Sequence, residues 1–492
     1  MRFPLFVNGA YRSQSPIADD EQTINWYPEP MGSEGATTKM ALYPTPGAQL
    51  FATVTEAFAG RAAFAMNGRC FFVIGSKFLE VFADGTYTIL GDVGAGVSPA
   101  TICANGVDGD QLFITSGADP GTGGNGYCFN LTTSVLTNVL TNTLMGGMSW
   151  TYFESLDDTG SLRISDPADG LTWDVLQFQN NSITPDQWVS LLVTTYGQTW
   201  LFGTQSSQVW YNADTDPFPF QPDQSGLIPY GIVAPYSAVE ADGAVNWLAT
   251  SKDGDRVVLS AKGVTPKRIS DFALENELAS YTFVEDATAL TYRDLGHVFY
   301  VLSFPREGKT WVFDFMSGLW HRRGTWLSES NTYDAWRFGC HCFAFGKHLM
   351  ADRETGEIYD VSSSYQTDVG ERLIRRVRRS PAVVSDGYDI QFARLAVKIE
   401  TGLANQSGAG SDPVVMLRLS DDGGKTWGNY IEATAGRVGR YDTEVEFHQL
   451  GIASQRVFEV SVLDPIPWRI IDAYVEATVL KPGGARSPQG VA

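Results

Sequence analysis

The sequence predicts an all-β protein: a β-propeller of six or seven blades, a C-terminal β-sandwich-like domain and an extended N-terminal arm. A strand-and-turn unit recurs about every 45 residues, a spacing typical of propeller blades. Glycine is abundant (50 of 492 residues), aromatic residues make up 12% of the chain, and long helix-periodic runs are missing from the sequence. A blade cannot bury both faces alone, whereas a closed ring of blades does so. A sandwich built from the same strands is the alternative architecture.

The charge balance of the chain is strongly acidic, with a formal net charge of −21. This charge argues against a protein held to DNA by broad counterion release and against binding to an anionic membrane, but it does not exclude a duct through which DNA passes without binding. The five cysteines have no disulfide-framework spacing, which indicates reduced thiols in a protein that folds in a cytosol. No apolar run is long enough to span a bilayer, so we expect no membrane anchoring.

Residues 1–60 are irregular and marked by prolines. They are predicted to form an arm or platform segment that lies on a neighbouring domain or subunit. Within it, Asn25, Trp26 and Tyr27 precede two prolines, and the aromatic pair is predicted to be exposed.

Residues 61–365 are predicted to form the propeller. Each repeating unit contains two to four short strands separated by glycine-rich turns. Residues 50–54 precede the first unit and could close the last blade as an extra strand. The units begin near Phe64, Thr101, Met148, Thr195, Ala241, Tyr292 and Arg337.

Residues 388–480 are predicted to form a compact β-domain that contains an Asp-box, the spacing S-x-D-x-G-x-T-W. In this motif the Asp and Ser side chains bond the backbone of their own turn and the Trp packs beneath it. The motif specifies a turn and no chemistry. A degraded copy at residues 165–173 has Ala168 in place of the Asp. The complete motif consists of Ser420, Asp422, Gly424, Thr426 and Trp427.

Residues 366–387 are predicted to form a basic linker strand, and residues 481–492 a disordered tail. The basic run could contact DNA phosphates. Given the acidic chain, an arginine-studded strand that binds acidic surface of its own fold or of a neighbouring subunit is favoured. Its arginines are Arg372, Arg375, Arg376, Arg378 and Arg379.

Two cysteines and two histidines lie close together in sequence, at Cys340-His341-Cys342 and His348. In a strand the cysteines face one side and His341 the other, so the ligands of a metal would not converge. Buried thiols are therefore predicted, and neither a metal nor another cofactor is expected. The paired carboxylates lie in turns and no Ser-His-Asp arrangement is evident, so we predict no catalytic residue and no enzyme.

Several stretches together resemble the tail-hub proteins of P22-like short-tailed phages, also called packaged DNA stabilisation proteins, and more distantly the nozzle proteins of T7-like phages. The resemblance covers most of the chain but depends on a pattern of short stretches. These are Asn25-Trp26-Tyr27-Pro28-Glu29, Tyr43-Pro44-Thr45-Pro46-Gly47, Trp311-Val312-Phe313-Asp314, Ser317-Gly318-Leu319-Trp320, and the final domain from Ile374 through Glu400-Thr401-Gly402 and the Asp-box to Ile470-Ile471-Asp472-Ala473.

The resemblance implies a structural virion protein located in the phage tail and assembled in the host cytoplasm. Six copies, a homohexamer, would form a ring below the portal and its adaptor protein. The ring would hold the packaged double-stranded DNA, release it after a tail needle or plug departs, and offer its outer surface to tailspikes or fibres. Asn25, Trp26 and Tyr27 are then expected to contact the adaptor, on a platform formed by the arm and the final β-domain.

Two other functions fit the same fold. A propeller-type glycosidase or depolymerase would require two close carboxylates and an arginine cluster at the propeller's centre, but the arginine-rich run follows the last predicted blade. A glycan-binding tail protein without catalysis would use exposed Trp and Tyr side chains of the blades. The sequence alone leaves both open.

Overall fold

The structure, a computed structural model, describes residues 6–13, 15, 19–32, 39–105, 109–117, 123–251, 253–385 and 387–480. These residues belong to two compact units. The propeller unit comprises residues 46–315 and 323–372, and the sandwich unit comprises residues 1–45, 316–322 and 373–492. The predicted tail, residues 481–492, lies outside the described residues. Within the described ranges, no helix has the length and apolarity needed to cross a membrane.

The first four strands belong to the sandwich unit, and the propeller begins after them. The N-terminal strands are β1 (Tyr11–Arg12), β2 (Asp20–Ile24), β3 (Trp26–Pro30) and β4 (Met40–Pro44). The next strand is β5 (Gly47–Thr53), and blade 1 consists of β6 (Gly60–Met66), β7 (Arg69–Ile74), β8 (Lys77–Val81) and β9 (Tyr87–Asp92). Blade 2 consists of β10 (Thr101–Ala104), β11 (Gln111–Thr115), β12 (Asn125–Asn130) and β13 (Val135–Thr141).

Blades 3 to 5 continue the same antiparallel pattern. Blade 3 consists of β14 (Thr143–Ser149), β15 (Tyr152–Asp157), β16 (Leu162–Ile164) and β17 (Phe178–Gln179). Blade 4 consists of β18 (Trp188–Val193), β19 (Thr199–Gly203), β20 (Ser207–Asn212) and β21 (Phe220–Ile228). Blade 5 consists of β22 (Gly231–Ile232), a 3₁₀ turn (Pro235–Ser237), β23 (Val239–Ala241), β24 (Ala244–Thr250), β25 (Arg256–Lys262) and β26 (Thr265–Arg268).

A short helix, α1 (Phe272–Ser280), precedes blade 6 and is capped by the Asp271 side chain, which accepts a bond from the Leu274 backbone N–H. Within the propeller unit, blade 6 consists of β27 (Thr288–Asp294), β28 (His297–Phe304) and β29 (Lys309–Asp314). The following strands are β30 (Leu319–Arg323), β31 (Thr325–Leu327) and β32 (Thr332–Asp334). Blade 7 contains β33 (Phe338–Ala344), β34 (Lys347–Asp352) and β35 (Glu357–Ser362), and is followed by β36 (Thr367–Asp368), a 3₁₀ turn (Val369–Glu371) and β37 (Arg372–Leu373).

Tight two-residue turns set the register of the first hairpin in several blades. In blade 1 the turn is Asn67-Gly68, with φ of 47° and 76°. In blade 5 it is Asp242-Gly243, with φ of 52° and 66°. Positive φ at both central residues defines the turn that matches the twist of antiparallel strands, and Asn, Asp and Gly tolerate it best. In these two blades the local sequence therefore determines where the first strand of the hairpin ends.

Strand β5 closes the ring by becoming the fourth strand of blade 7. It pairs antiparallel with β35, from Gly47 opposite Ser362 to Thr53 opposite Glu357. Ala52 is buried in a core that includes side chains of blades 1 and 7, among them Phe72. The described residues thus form seven blades, and the prediction of an all-β propeller is confirmed.

The sandwich unit packs two sheets face to face. The remaining strands are β38 (Arg376–Arg379), β39 (Val383–Val384), β40 (Asp389–Ile399), β41 (Val414–Ser420), β42 (Ile431–Thr434), β43 (Val445–Ala453), β44 (Gln455–Val462) and β45 (Ile470–Leu480). One sheet has the order β30-β2-β38-β44-β41-β42, with β1 beside β2 and β39 beside β44, and the other has the order β3-β4-β45-β40-β43. A continuous apolar core lies between them.

The described part of residues 1–45 lies within this sandwich instead of extending from it as an arm. Strand β2 pairs antiparallel with β38 and parallel with β30, and β4 pairs with β45. Trp26 and Leu42 are fully buried in the core. Burial of such large apolar side chains contributes about 1.5–3 kcal/mol each, which explains why this segment folds as part of the sandwich.

We predict that Ala52→Asp opens blade 7, because it places an unpaired carboxylate in the core beneath β5. An uncompensated buried charge costs several kcal/mol. Hydrogen exchange followed by mass spectrometry should show loss of protection in residues 47–53 and 357–362. The control is Gln49→Asp, an exposed position of the same strand, which should leave both segments protected. Equal loss of protection in the two variants would contradict the closing role of β5.

Candidate functional site

The Asp-box turn follows β41 and is held by bonds among its own residues. Asp422 Oδ2 accepts a bond from Thr426 Oγ1 (2.6 Å), and Asp422 Oδ1 accepts one from the Thr426 backbone N–H (2.9 Å). Ser420 Oγ accepts from the Gly424 N–H (2.8 Å), and Trp427 Nε1 donates to the Gly424 carbonyl (3.1 Å). The bonds from Thr426, followed by one from Ser420, hold the pKa of Asp422 below its ordinary value. The Asp422 carboxylate therefore stabilises its own turn.

The ring of Trp427 packs against two guanidinium groups that share one buried carboxylate. The Cζ atoms of Arg379 and Arg418 lie 4.6 and 4.7 Å from the ring centroid. Glu459 accepts from Arg379 Nη2 at 2.8 Å and from Arg418 Nε at 2.5 Å, and is 1% exposed. Burial alone would raise the pKa of Glu459, but the bond from Arg418 and the charges of both arginines outweigh burial and hold that pKa below its ordinary value.

The basic strand faces the interior of its own unit. Arg378 in β38 is fully buried; it donates to Thr23 Oγ1 (2.9 Å) and to the Gly9 carbonyl (3.0 Å), and it pairs with Glu21. Arg379 pairs with Asp20 in addition to Glu459. These two arginines thus bind acidic groups of their own fold, which is one of the alternatives that the sequence left open.

The predicted contact of the basic run with DNA or a neighbouring subunit needs correction at four of its five arginines. Arg375, Arg376 and Arg378 are buried and Arg379 is mostly buried, because the acidic strand β2 and the core strand β44 flank β38. Arg375 also bonds the Tyr430 hydroxyl. Arg372 is exposed and remains a candidate contact.

The predicted adaptor contact through Asn25, Trp26 and Tyr27 is also corrected, because all three residues are buried. Asn25 adopts a φ of 58°, and its Nδ2 donates to the Arg375 carbonyl (2.9 Å) while its own carbonyl accepts from Thr45 Oγ1 (3.0 Å). Trp26 Nε1 bonds a backbone carbonyl in the core at 3.2 Å. These residues connect segments of the sandwich unit and present no surface to a partner.

Sequence reasoning missed the acidic partners of the basic strand. Asp20 and Glu21 lie in the segment treated as an arm, yet both are almost fully buried beside arginines. Burial, followed by the charge of Glu21, raises the pKa of neighbouring Asp19 to about 6. The sequence did contain a signal, since an acidic run lies in one segment and a basic run in another. Sequence spacing, however, does not show which charged runs pair.

The degraded motif in blade 3 is completed by the residue that follows Ala168. Asp169 Oδ2 accepts from Thr172 Oγ1 at 2.7 Å, and Trp173 Nε1 donates to the Gly170 carbonyl at 2.9 Å. These bonds reproduce those of the complete Asp-box. Ala168 has a φ of 58°, so the turn places the carboxylate one position later.

The Cys340-His341-Cys342 strand separates thiols from imidazoles, as alternate residues of a strand must. Cys340 and Cys342 face the core that includes blades 1 and 7, where Cys342 Sγ lies 3.4 Å from Cys70 Sγ. Burial raises the pKa of Cys340 to about 12. His341 projects from the opposite face toward His348. Within the described ranges, no group of three or more His, Cys, Asp or Glu side chains is placed to hold a metal ion.

The described residues of the propeller unit border an axial cavity and a second pocket. An axial cavity of about 610 Å³ is lined by the innermost strands of all seven blades, and no Asp or Glu belongs to its described lining. Its arginine, Arg61, donates to the carbonyls of Ser98 (2.7 Å) and Gly75 (2.8 Å). A second pocket of about 630 Å³ is bordered by blades 4, 5, 6 and 7, and its lining includes Glu240 and Asp242.

We predict that Glu459→Gln destabilises the sandwich unit by about 3–5 kcal/mol at neutral pH, because two arginines lose their shared charge. The lowered pKa of Glu459 contributes stability above its ordinary value near 4.3, and this contribution is lost as pH falls. Hydrogen exchange of β41 and β44 at pH 7 and pH 4 tests this.

In Glu459→Gln, the loss of hydrogen-exchange protection from pH 7 to pH 4 should be smaller than in the unchanged chain. The matched control is Glu432→Gln, an exposed residue of β42, which should match the unchanged chain at both pH values. A variant at Glu459 that keeps full protection would show that the buried carboxylate is dispensable.

Comparison with known proteins places this fold in context. No curated protein matches the chain. Similar solved structures include the extracellular domain of a putative one-component system, BT4673 from B. thetaiotaomicron (TM-score 0.43, 8% identity, 78% of this chain, 47% of that one). The N-terminal domain of Nup159 gives a TM-score of 0.38 at 10% identity, with 69% of this chain and 98% of that one covered.

PorZ, a surface component of the type-IX secretion system of Porphyromonas gingivalis, gives a TM-score of 0.36 at 10% identity, with 78% of this chain and 46% of that one covered. The chain thus spans less than half of BT4673 and of PorZ. At these TM-scores the likenesses carry no argument about function. A family described as "Bacteriophage P22 Gp10, beta-propeller" matches residues 1–366, which include all seven blades. The chain therefore belongs to the phage stabilisation family of P22 Gp10-type β-propeller proteins.

Proposed function

We propose that six copies of this phage structural protein form a tail hub or nozzle below the portal and its adaptor, retain the packaged DNA and conduct it during ejection. The observation that carries the proposal is the family match over residues 1–366. The net charge of −21 is compatible with the conduit role, because an acidic chain does not bind the phosphates of DNA that passes it. Its further partners in the tail would be a needle or plug and the tailspikes or fibres.

The sandwich unit is our candidate for the adaptor-facing platform, because it joins the N-terminal and C-terminal segments in one body. Asn25, Trp26 and Tyr27 are buried, so we propose that exposed apolar residues of this unit contact the adaptor instead. Tyr441 is 76% exposed and Val438, in the same loop, is 49% exposed. Exposed aromatic side chains of this kind are enriched at protein interfaces.

The copy number of the chain in purified virions tests the hub proposal. Quantitative mass spectrometry against the portal protein should give about six copies per twelve portal subunits, as one closed ring requires. A total well above six, with three copies for each spike, would indicate a trimeric fibre or depolymerase. A chain missing from virions would contradict the proposal.

A saccharide-binding tail protein is the second candidate, and the surroundings of the pocket favour it. Tyr196 and Trp150 are 77% and 64% exposed. Trp150 lies against Gly197, where an added Cβ would come within 3.1 Å of its Nε1, and neighbouring Thr195 lines the pocket. Glu240 accepts bonds from the Thr195 N–H (2.7 Å) and hydroxyl (2.9 Å). Aromatic faces beside carboxylates and hydroxyl groups suit sugar rings.

For this role we predict that Trp150→Ala with Tyr196→Ala weakens binding to host envelope polysaccharide about tenfold or more, since each ring contributes about 0.5–1.5 kcal/mol beyond its buried area. The control is Phe58→Ala, an exposed aromatic between β5 and β6. Surface-plasmon binding to the polysaccharide is the measurement. Unchanged binding in the double variant would refute the saccharide role, and release of sugars would identify a depolymerase.

A further inference from the structure

The seam between blades 1 and 7, where the propeller ring closes, contains three buried cysteines. Cys70 lies in β7 of blade 1, and Cys340 and Cys342 lie in β33 of blade 7. Cys70 is fully buried and Cys342 is 7% exposed. All three side chains belong to one apolar core, which also contains Ala52 of the closing strand β5. The first and the last blade of the ring therefore both contribute thiols to this core.

Two of these thiols are in contact across the seam. Cys342 Sγ lies 3.4 Å from Cys70 Sγ, although the two residues are 272 positions apart in the chain. Both are free cysteines. The sulfur atoms of a disulfide are about 2.05 Å apart, so each sulfur would have to move by about 0.7 Å. A rotation of about 25° about each Cα–Cβ bond is enough to move a sulfur that far.

We propose that Cys70 and Cys342 form a disulfide bond when the folded protein is exposed to an oxidant, and that this bond joins blades 1 and 7 covalently. The chain belongs to a family of phage structural proteins, and virions leave the reducing cytosol for surroundings in which disulfides persist. Without the bond, the pairing of β5 with β35 closes the ring. The disulfide would keep the two blades together even where β5 separates from β35.

Hydrogen peroxide is an oxidant that is small enough to reach a buried thiol. The thiolate of one cysteine attacks a peroxide oxygen and becomes a sulfenic acid, while the other oxygen leaves as hydroxide and takes up a proton to form water. The second thiol then attacks the sulfenic sulfur, and its proton leaves with the sulfenic hydroxyl as a second water. The two thiols lose two electrons, the peroxide gains them, and one disulfide remains.

Cys342 is the thiol that we expect to react first. It is the more exposed of the two, and it borders the pocket of about 630 Å³. The bond with Cys70, followed by burial, raises the pKa of Cys342. The thiolate, which is the reactive form, is therefore scarce at neutral pH, and the rate of oxidation should rise about tenfold with each pH unit.

Treatment of the purified, folded full-length chain with hydrogen peroxide tests the proposal. Proteolysis and mass spectrometry without reductant should identify a peptide pair that joins Cys70 to Cys342, and a reductant should separate it. The matched control pair is Cys103 and Cys128, which oppose Phe113 from the strands on either side of it. Two strand spacings separate their Cα atoms by about 9.5 Å, beyond the limit of about 7 Å for a disulfide. This pair should remain unlinked.

Hydrogen exchange then shows whether the bond holds the seam together. Oxidation should slow exchange in residues 47–53 and 338–344 of the unchanged chain at least about tenfold, because a cross-link over a long loop restricts the opened state. Cys342→Ala and Cys342→Ser should show no such change on oxidation, since neither can form the bond. Cys128→Ala, which removes a buried thiol of blade 2, should respond as the unchanged chain does.

Two results of the mapping would overturn the proposed site. One is an oxidised unchanged chain without the cross-link, and the other is a cross-link that joins Cys70 to Cys340 instead of Cys342. A bond between Cys70 and Cys342 that leaves exchange in residues 47–53 unchanged would overturn its role in holding the seam.

Discussion

The sandwich unit depends on one buried carboxylate, that of Glu459 in β44. It pairs with both Arg379 of β38 and Arg418 of β41, and these two guanidinium groups pack against the ring of Trp427. Removing a charge from such a group leaves the others buried without compensation, which costs more than the pair contributes when intact. The N-terminal strand, the linker strand and the Asp-box turn therefore meet at a single electrostatic centre.

Local rules explain why the propeller could be predicted from the sequence. Glycine-rich turns with positive φ, such as Asn67-Gly68, determine hairpins within a few residues, so the repeat, the strands and both Asp-box turns were recognisable. The turn in blade 3 differed by one position, at Asp169. Residues 50–54 were proposed as the closing strand, and the structure has residues 47–53 in that place.

Long-range pairing explains what the sequence did not show. Trp26 resembles an exposed aromatic residue of a proline-rich arm, yet it is buried because strands more than 300 residues away cover it. The arginines of β38 resemble a nucleic-acid contact until Asp20 and Glu21 are placed beside them. Charge and apolarity are properties of a segment, whereas exposure depends on which distant strands pack against it.

The position of β5 in the chain has a consequence for how the protein is made. The strand that completes blade 7 is synthesised before blade 1, and its partner, β35, is about 300 residues later. The open edges of the first and last blades are exposed until that partner emerges, and strand pairing at such separation is slow. Nascent chains therefore pass through a stage with unpaired edges. Only chains whose synthesis has passed blade 7 can therefore enter an association that requires a closed ring.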